Sequence, residues 1–216
     1  MGIVSKVTGR KEPGKIVIIS SPSGGGKTSI CRKLLSRDRR RAGWQFSISY
    51  TTRAKRVGER EGRSYCFVPD AKFDRLVKEN FFAEHFKVHL YKYGTPRGPL
   101  EKVRRNGGVM LLDVDVQGAK KLHKEFPDAI SIFVLPPSRT ELLKRLRLRG
   151  TETPEQLKVR ADNALEEMRT FKKYNFDYVV INKELKQAVT DVLNIVAAHD
   201  NRIELFDEEL LRKIAG

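Results

Sequence analysis

Lys15-Ile16-Val17-Ile18-Ile19-Ser20-Ser21-Pro22-Ser23-Gly24-Gly25-Gly26-Lys27-Thr28 joins a continuous apolar run to a glycine-rich turn that ends in Lys-Thr. The run from Lys15 to Ser20 does not alternate between polar and apolar. Both faces of the strand it predicts are therefore buried, as in the middle of a parallel sheet. Ser21 to Gly26 cannot extend that strand, and Ser29 to Leu35 reads as a helix. A strand, a glycine turn and a helix in this order are the setting of a phosphate-binding loop. Glycines let successive backbone N–H groups point inward as an anion nest, and the helix adds the positive end of its dipole. Lys27 can then reach the outer phosphates of a nucleotide, and the Thr28 hydroxyl can ligate magnesium. Ser21 stands where the strict pattern has glycine, which changes the pattern match but not the physics of the nest.

Further apolar runs follow. Val109-Met110-Leu111-Leu112-Asp113-Val114-Asp115-Val116 reads as a second buried strand with two acids at its C-terminal end. Ile130-Ser131-Ile132-Phe133-Val134-Leu135 reads as a third, and Tyr178-Val179-Val180-Ile181-Asn182 as a fourth. Helical patterns cover residues 117–125, 139–149, 156–174 and 185–193. Strands alternating with helices predict an α/β fold, a parallel sheet flanked by helices. Ligands of such sheets gather at the C-terminal strand ends. Asp113 and Asp115 share one strand face there, and either can hold magnesium, directly or through water.

Residues 49–105 break the rhythm with Arg, Gly, Tyr and Phe in short alternating pieces. They predict an inserted subdomain with strands of its own, whose small core is formed by Phe81, Phe82 and Phe86. Arg149-Gly150-Thr151-Glu152-Thr153-Pro154 interrupts a basic helical region and predicts a mobile lid over residues 148–166. The expected division is an arm at 1–14, core at 15–48, 106–147 and 167–216, and the insert and lid between them.

The 216 residues are 39% hydrophobic and 32% charged, a balance suited to a soluble globular chain. No run of about 18 apolar residues predicts a transmembrane helix. The first residues lack a secretory signal pattern, so the cytoplasm is the expected compartment. Cys31 and Cys66 have no metal-site spacing and are expected to be free thiols. The net charge of +16 attracts polyanions. Nucleic acid is one such partner, and a site for two nucleotides is another. No nucleic-acid module is recognisable, so specific nucleic-acid binding is not expected.

Several segments together carry a family resemblance. Ser20 to Thr28 resembles the ATP-binding loop of guanylate kinases, which tolerate a residue other than glycine at Ser21. Phe46-Ser47-Ile48-Ser49-Tyr50-Thr51-Thr52-Arg53-Ala54-Lys55-Arg56-Val57-Gly58-Glu59 resembles their nucleotide-monophosphate signature. So do Glu84, Tyr93-Gly94-Thr95, Leu112 to Gly118, and Arg149 to Thr153, in family order over residues 15 to about 182. The resemblance implies transfer of the γ-phosphoryl group of ATP to GMP, and to dGMP, with Mg2+ as cofactor. It implies ATP contacts at Ser23, Gly24, Gly25, Gly26, Lys27, Thr28, Ser29 and Asn182. Arg53, Arg56, Tyr65 and Tyr93 match residues that bind the GMP phosphate, a role suited to forked guanidinium and directional hydroxyl donors. Ser49, Glu84 and Thr95 match the guanine readers. Arg145, Arg149 and Arg160 match arginines that close over the transferring group, and with Lys27 and Arg53 they make up the implied catalytic set. Asp113 and Asp115 match acids that organise Mg2+ or the phosphate-binding arginines, with Asp113 also on the GMP side. Ser64 stands where many members carry Asp.

Guanylate-kinase-like domains that bind phosphorylated proteins are the main alternative. They typically lose the phosphate loop, which is intact here. Monomer and homo-oligomer are both compatible with the sequence. No membrane partner is expected.

Overall fold

Lys15–Ser20 forms strand β1 at the centre of a five-stranded sheet in which every pairing is parallel. The computed structural model describes residues 13–88, 90–148, 154–199 and Arg212. Most of the arm at 1–14, the lid segment 149–153 with Arg149, and most of the chain after residue 199 lie outside them. Strand β2 is Trp44–Phe46, β7 is Val109–Asp113, β8 is Ile130–Leu135 and β9 is Tyr178–Ile181. Their order across the sheet is β2-β7-β1-β8-β9.

Alternate residues of β1 face opposite layers, as the two-residue period of a strand requires. Val17 and Ile19 point toward helices α1 (Lys27–Leu34) and α8 (Leu185–Ala198), packing with Ile30, Leu34, Ala188 and Val192. Ile16 and Ile18 point the other way, packing with Leu100 and Val103 of α4 (Arg97–Asn106) and Leu122 of α5 (Val116–Glu125). Covering both faces explains why β1, β7 and β8 are mostly apolar on both sides. Helix α4, although its residues fall in the expected insert, thus packs in the core. The short helix α2 (Arg37–Arg41) follows α1. Helices α6 (Arg139–Leu148) and α7 (Pro154–Thr170) pair through Leu142, Leu146 and Ala164, and a 3-10 turn at Phe171–Tyr174 follows.

Strands β3 (Tyr50–Thr51), β4 (Cys66–Phe67), β5 (Phe82–Val88) and β6 (Tyr91–Pro96) make a second sheet in the order β4-β3-β6-β5. Helix α3 (Asp70–Lys78) packs on it, and Val68, Phe73 and Phe82 form its core with Phe81 and Tyr50. Phe86 departs from the sequence reading. It stacks on Tyr93 at 6.0 Å and lies against Gly118 of α5, where an added Cβ would sit 2.9 Å from its ring. It thus packs between the second sheet and the core, because it lies on the opposite side of β5 from that small core. Among the described residues no helix is long and apolar enough to cross a membrane.

Candidate functional site

The loop between β1 and α1 depends on two left-handed residues. Gly24 and Gly26 have φ of +88° and +97°, a region costly for side chains with a Cβ. A Cβ at Gly26 would also meet Asn182 Nδ2 at 2.1 Å. That amide donates to the Gly25 carbonyl at 2.9 Å. The Asn182 backbone N–H donates to the Leu135 carbonyl at 2.7 Å, and Arg145 Nη2 donates to the Asn182 carbonyl at 3.0 Å. Buried Asn182 therefore braces the loop from the end of the sheet, while Arg145, paired with Glu141 at 2.8 Å, lies above it. No side chain caps α1, so its leading N–H groups remain available to an anion.

Lys27 leads α1. Its Nζ donates to the Val114 carbonyl at 2.8 Å and pairs with Asp113 Oδ1 at 2.9 Å. Burial alone would lower its pKa, but Asp113 outweighs that and carries it above the ordinary lysine value. Thr28 Oγ1 donates to Asp113 Oδ2 at 3.0 Å. The two acids of this segment, read from sequence as neighbours on one strand face, take different places. Strand β7 ends at Asp113, whereas Asp115 caps α5 by accepting from the Gly118 N–H at 2.8 Å. Ser29 is exposed on the first turn of α1, and Ser23 is half-buried in the loop.

The second sheet supplies a facing set. Arg53, 6% exposed, makes a two-pronged pair with Glu59 at 2.7 and 3.1 Å and donates to the Ala54 carbonyl at 2.8 Å. Its guanidinium lies 5.5 Å from the Tyr65 ring centroid and 5.8 Å from that of Phe67. Glu59 also accepts the Arg56 backbone N–H at 2.8 Å, which leaves the Arg56 side chain exposed beside the pair. Tyr65 meets Tyr93 edge to face at 6.0 Å. Burial, and after it the Asp113 charge, raises the Tyr65 hydroxyl, and Lys27 opposes them. The Tyr65 hydroxyl is thus within electrostatic reach of the Lys27–Asp113 pair on the core.

Deeper in the second sheet, Glu84 and Thr95 stand opposite each other on β5 and β6, both buried. Thr95 Oγ1 donates to Glu84 Oε1 at 2.6 Å. Glu84 Oε2 is buried and has no hydrogen-bond partner among the described residues. Burial lifts the Glu84 carboxyl to about 7, with the Thr95 hydrogen bond opposing it. Ser49 is half-buried just before β3, and its carbonyl accepts the Cys66 N–H at 2.9 Å. The core thus carries a phosphate nest with a charged lysine, and the insert carries an arginine, two tyrosines and a buried carboxylate oxygen with no donor among the described residues.

The family model described as guanylate kinase matches residues 13–199. The chain belongs to the guanylate kinase family. A guanylate kinase of Syntrophotalea carbinolica is 43% identical, with 89% of each chain covered. One of Caldanaerobacter subterraneus subsp. tengcongensis is 39% identical, with 90% of this chain and 92% of that one covered. A crystal structure of guanylate kinase from Anaplasma phagocytophilum superposes with a TM-score of 0.71 at 32% identity, covering 89% of each chain.

Within this guanylate kinase family member, the structure gathers Lys27, Thr28, Asp113, Arg145 and Asn182 on the core side. It gathers Arg53, Tyr65, Tyr93, Glu84 and Thr95 on the insert side. Arg160 is half-buried on α7. Asn182, expected among the ATP contacts, holds the loop through its side-chain amide. Two further residues are absent from the sequence reading of the site. Glu59 lies inside a quoted motif, and its spacing from Arg53 is the available signal. Glu167 of α7 lies within electrostatic reach of Lys27, and burial lifts its carboxyl to about 7. Nothing local distinguishes it from Glu166.

Proposed function

We propose that this chain transfers the γ-phosphoryl group of ATP to GMP, and to dGMP, the activity that gives its family its name. The observation that carries the reading is the buried Glu84 Oε2, without a hydrogen-bond partner among the described residues, in the same insert as Arg53, Tyr65 and Tyr93. A buried carboxylate oxygen without a donor is costly unless a ligand supplies one. Guanine offers two donors on one edge, the ring N1–H and the 2-amino group. Ser49 and Thr95 hydroxyls complete the base contacts, since each can donate or accept.

In this reading Arg53, Arg56, Tyr65 and Tyr93 hold the GMP phosphate. Ser23 to Ser29 hold the ATP phosphates, with Lys27 on the outer two and Asn182 keeping the loop in shape. Arg145, Arg149 and Arg160 neutralise charge as the phosphoryl group moves. A general base is not needed, because the attacking phosphate oxygen is already anionic and positioning does the catalytic work. The residues present fit Mg2+. The Thr28 hydroxyl and Asp113 carboxylate are adjacent hard oxygen donors. No group of three or more His, Cys, Asp or Glu among the described residues forms a metal cage, which suits an ion that keeps waters and phosphate oxygens. Bound there, Mg2+ supplies charge neutralisation at the donor phosphates.

The test is an acceptor screen with ATP, Mg2+ and each nucleoside monophosphate, following ADP. Turnover is expected with GMP and dGMP and not with AMP, CMP or UMP. Equal turnover with AMP would overturn the acceptor assignment.

A further inference from the structure

Buried Arg53 has a guanidinium whose N–H groups can be followed one by one. Glu59 meets it end-on, with Oε1 on Nη2 at 2.7 Å and Oε2 on Nη1 at 3.1 Å. The Ala54 carbonyl takes the other Nη1 N–H at 2.8 Å. That leaves Nε, buried and with no hydrogen-bond partner among the described residues, and the second Nη2 N–H beside it. Together these make the side-on fork of an arginine, a bidentate match for phosphate oxygens.

A tight turn brings Glu59 to this place. Its N–H donates to the Arg56 carbonyl at 3.1 Å and closes Arg56-Val57-Gly58-Glu59. Gly58 takes φ +84° at the third position, where such a turn calls for glycine. Glu59 Oε2 also accepts the Arg56 N–H at 2.8 Å, so the carboxylate is fixed at both ends of the turn. Burial alone would raise the Glu59 carboxyl, but Arg53 and the Arg56 N–H outweigh it and hold it below its ordinary value. The Tyr65 and Phe67 rings flank the guanidinium at 5.5 and 5.8 Å, and the Tyr93 hydroxyl is within its electrostatic reach.

We propose that Glu59 is a positioning residue, which holds Arg53 by the end of its guanidinium and so presents the Nε and Nη2 fork to the phosphate of the acceptor nucleotide. This rests on the acceptor reading above and extends it. The insert holds two buried atoms that need opposite partners, since Glu84 Oε2 lacks a donor and Arg53 Nε lacks an acceptor. A guanine nucleotide brings donors on its base and acceptors on its phosphate, and so satisfies both.

The experiment is calorimetric binding of GMP and of guanosine to full-length wild type, E59Q, R53M and the double variant, with ATP as a control ligand. Gln keeps one acceptor oxygen but turns its amino group toward an Nη donor, so the end-on grip is lost. E59Q is expected to weaken GMP by on the order of 10- to 100-fold, the scale of hydrogen bonds to charged groups. Guanosine, which has no phosphate, and ATP are expected to keep their wild-type affinities. The double variant should bind GMP no more weakly than R53M alone, because without the guanidinium Glu59 has nothing to aim. Unchanged or tighter GMP binding in E59Q would overturn the assignment, the tighter result showing that Glu59 competes with the phosphate. An equal loss for guanosine would also overturn it, by marking an effect on the fold of the insert. The reaction fails separately. If wild type prefers GMP to guanosine but does not phosphorylate it, only the activity is lost, and the E59Q affinities still decide the role of Glu59. If wild type binds GMP no better than guanosine, no phosphate is gripped, and both readings are overturned.

Discussion

Glu84 shows how one carboxylate can choose a base and report on pH. Burial holds its carboxyl at about 7, above the ordinary value of 4.5. An acid raised on folding costs stability once pH passes its unfolded value, and the cost is complete above its folded value. Here that window runs from about 4.5 to about 7. Guanine's two donors require the carboxylate, so GMP binding releases a proton below pH 7. KM for GMP should therefore fall as pH rises from about 6 to 8, approaching tenfold per pH unit on the acid side. Glu84→Gln should flatten that dependence. It should also shrink the GMP:AMP ratio of kcat/KM by powers of ten, because an amide offers a donor where guanine presents one. A pH series of kcat/KM for both nucleotides measures both effects. A ratio that stays at its wild-type value would remove Glu84 from base recognition.

At the scale of elements, the loop and its brace form one unit. Gly26→Ala places a Cβ at positive φ and against Asn182 Nδ2, which must then leave the Gly25 carbonyl. The backbone term alone is roughly 1–2 kcal/mol. A melting temperature lower by several degrees is expected, at about 2–4 °C per kcal/mol for a chain of this size. KM for ATP should rise strongly and KM for GMP little. Thermal melts and a two-substrate kinetic matrix measure this, and an unchanged KM for ATP would count against the brace. Elements of this kind differ in how far the sequence reveals them. The strands at Lys15–Ser20, Val109–Asp113 and Ile130–Leu135 are readable because both faces are buried and the runs are unbroken. Trp44–Phe46 is three residues at a sheet edge, too short for any period to show. Asp115 reads as part of a strand because the pattern cannot reveal that the ladder stops at Asp113 and a helix cap begins. Phe86 reads as insert core because strict alternation puts it on the same face as Phe82, and the irregularity between Phe82 and Glu84 that turns it over leaves no mark in the sequence. Within the site, motif spacing exposes the loop and the arginines. Asn182 comes to the loop only through folding, from far along the chain.

For the whole molecule, the two halves of the site belong to two sheets held against one another. Arg97 pairs with Glu125 and donates to the Phe82 carbonyl at 3.2 Å, and Lys121 donates to the His85 carbonyl. Helix α5 of the core thereby grips the strand that carries Glu84. The same arrangement has a consequence for how the chain assembles. β1 is early in sequence but lies between β7 and β8, with Lys15 beside Val109. Closing that ladder encloses the entire insert in one long loop, an entropic cost that slows pairing. During synthesis β1 therefore emerges as an apolar strand with neither neighbour yet made, and stays exposed to wrong partners until most of the chain exists. The β5–β6 ladder itself joins residues close in sequence, so its closing costs little loop entropy. Pulse-labelled hydrogen exchange during refolding should show amides at 82–96 protected before those at 15–20 and 109–113. Simultaneous protection would show that the insert waits for the core. The expected order makes the insert an early-folding tether, which shortens the effective distance that the first strand's partner must search.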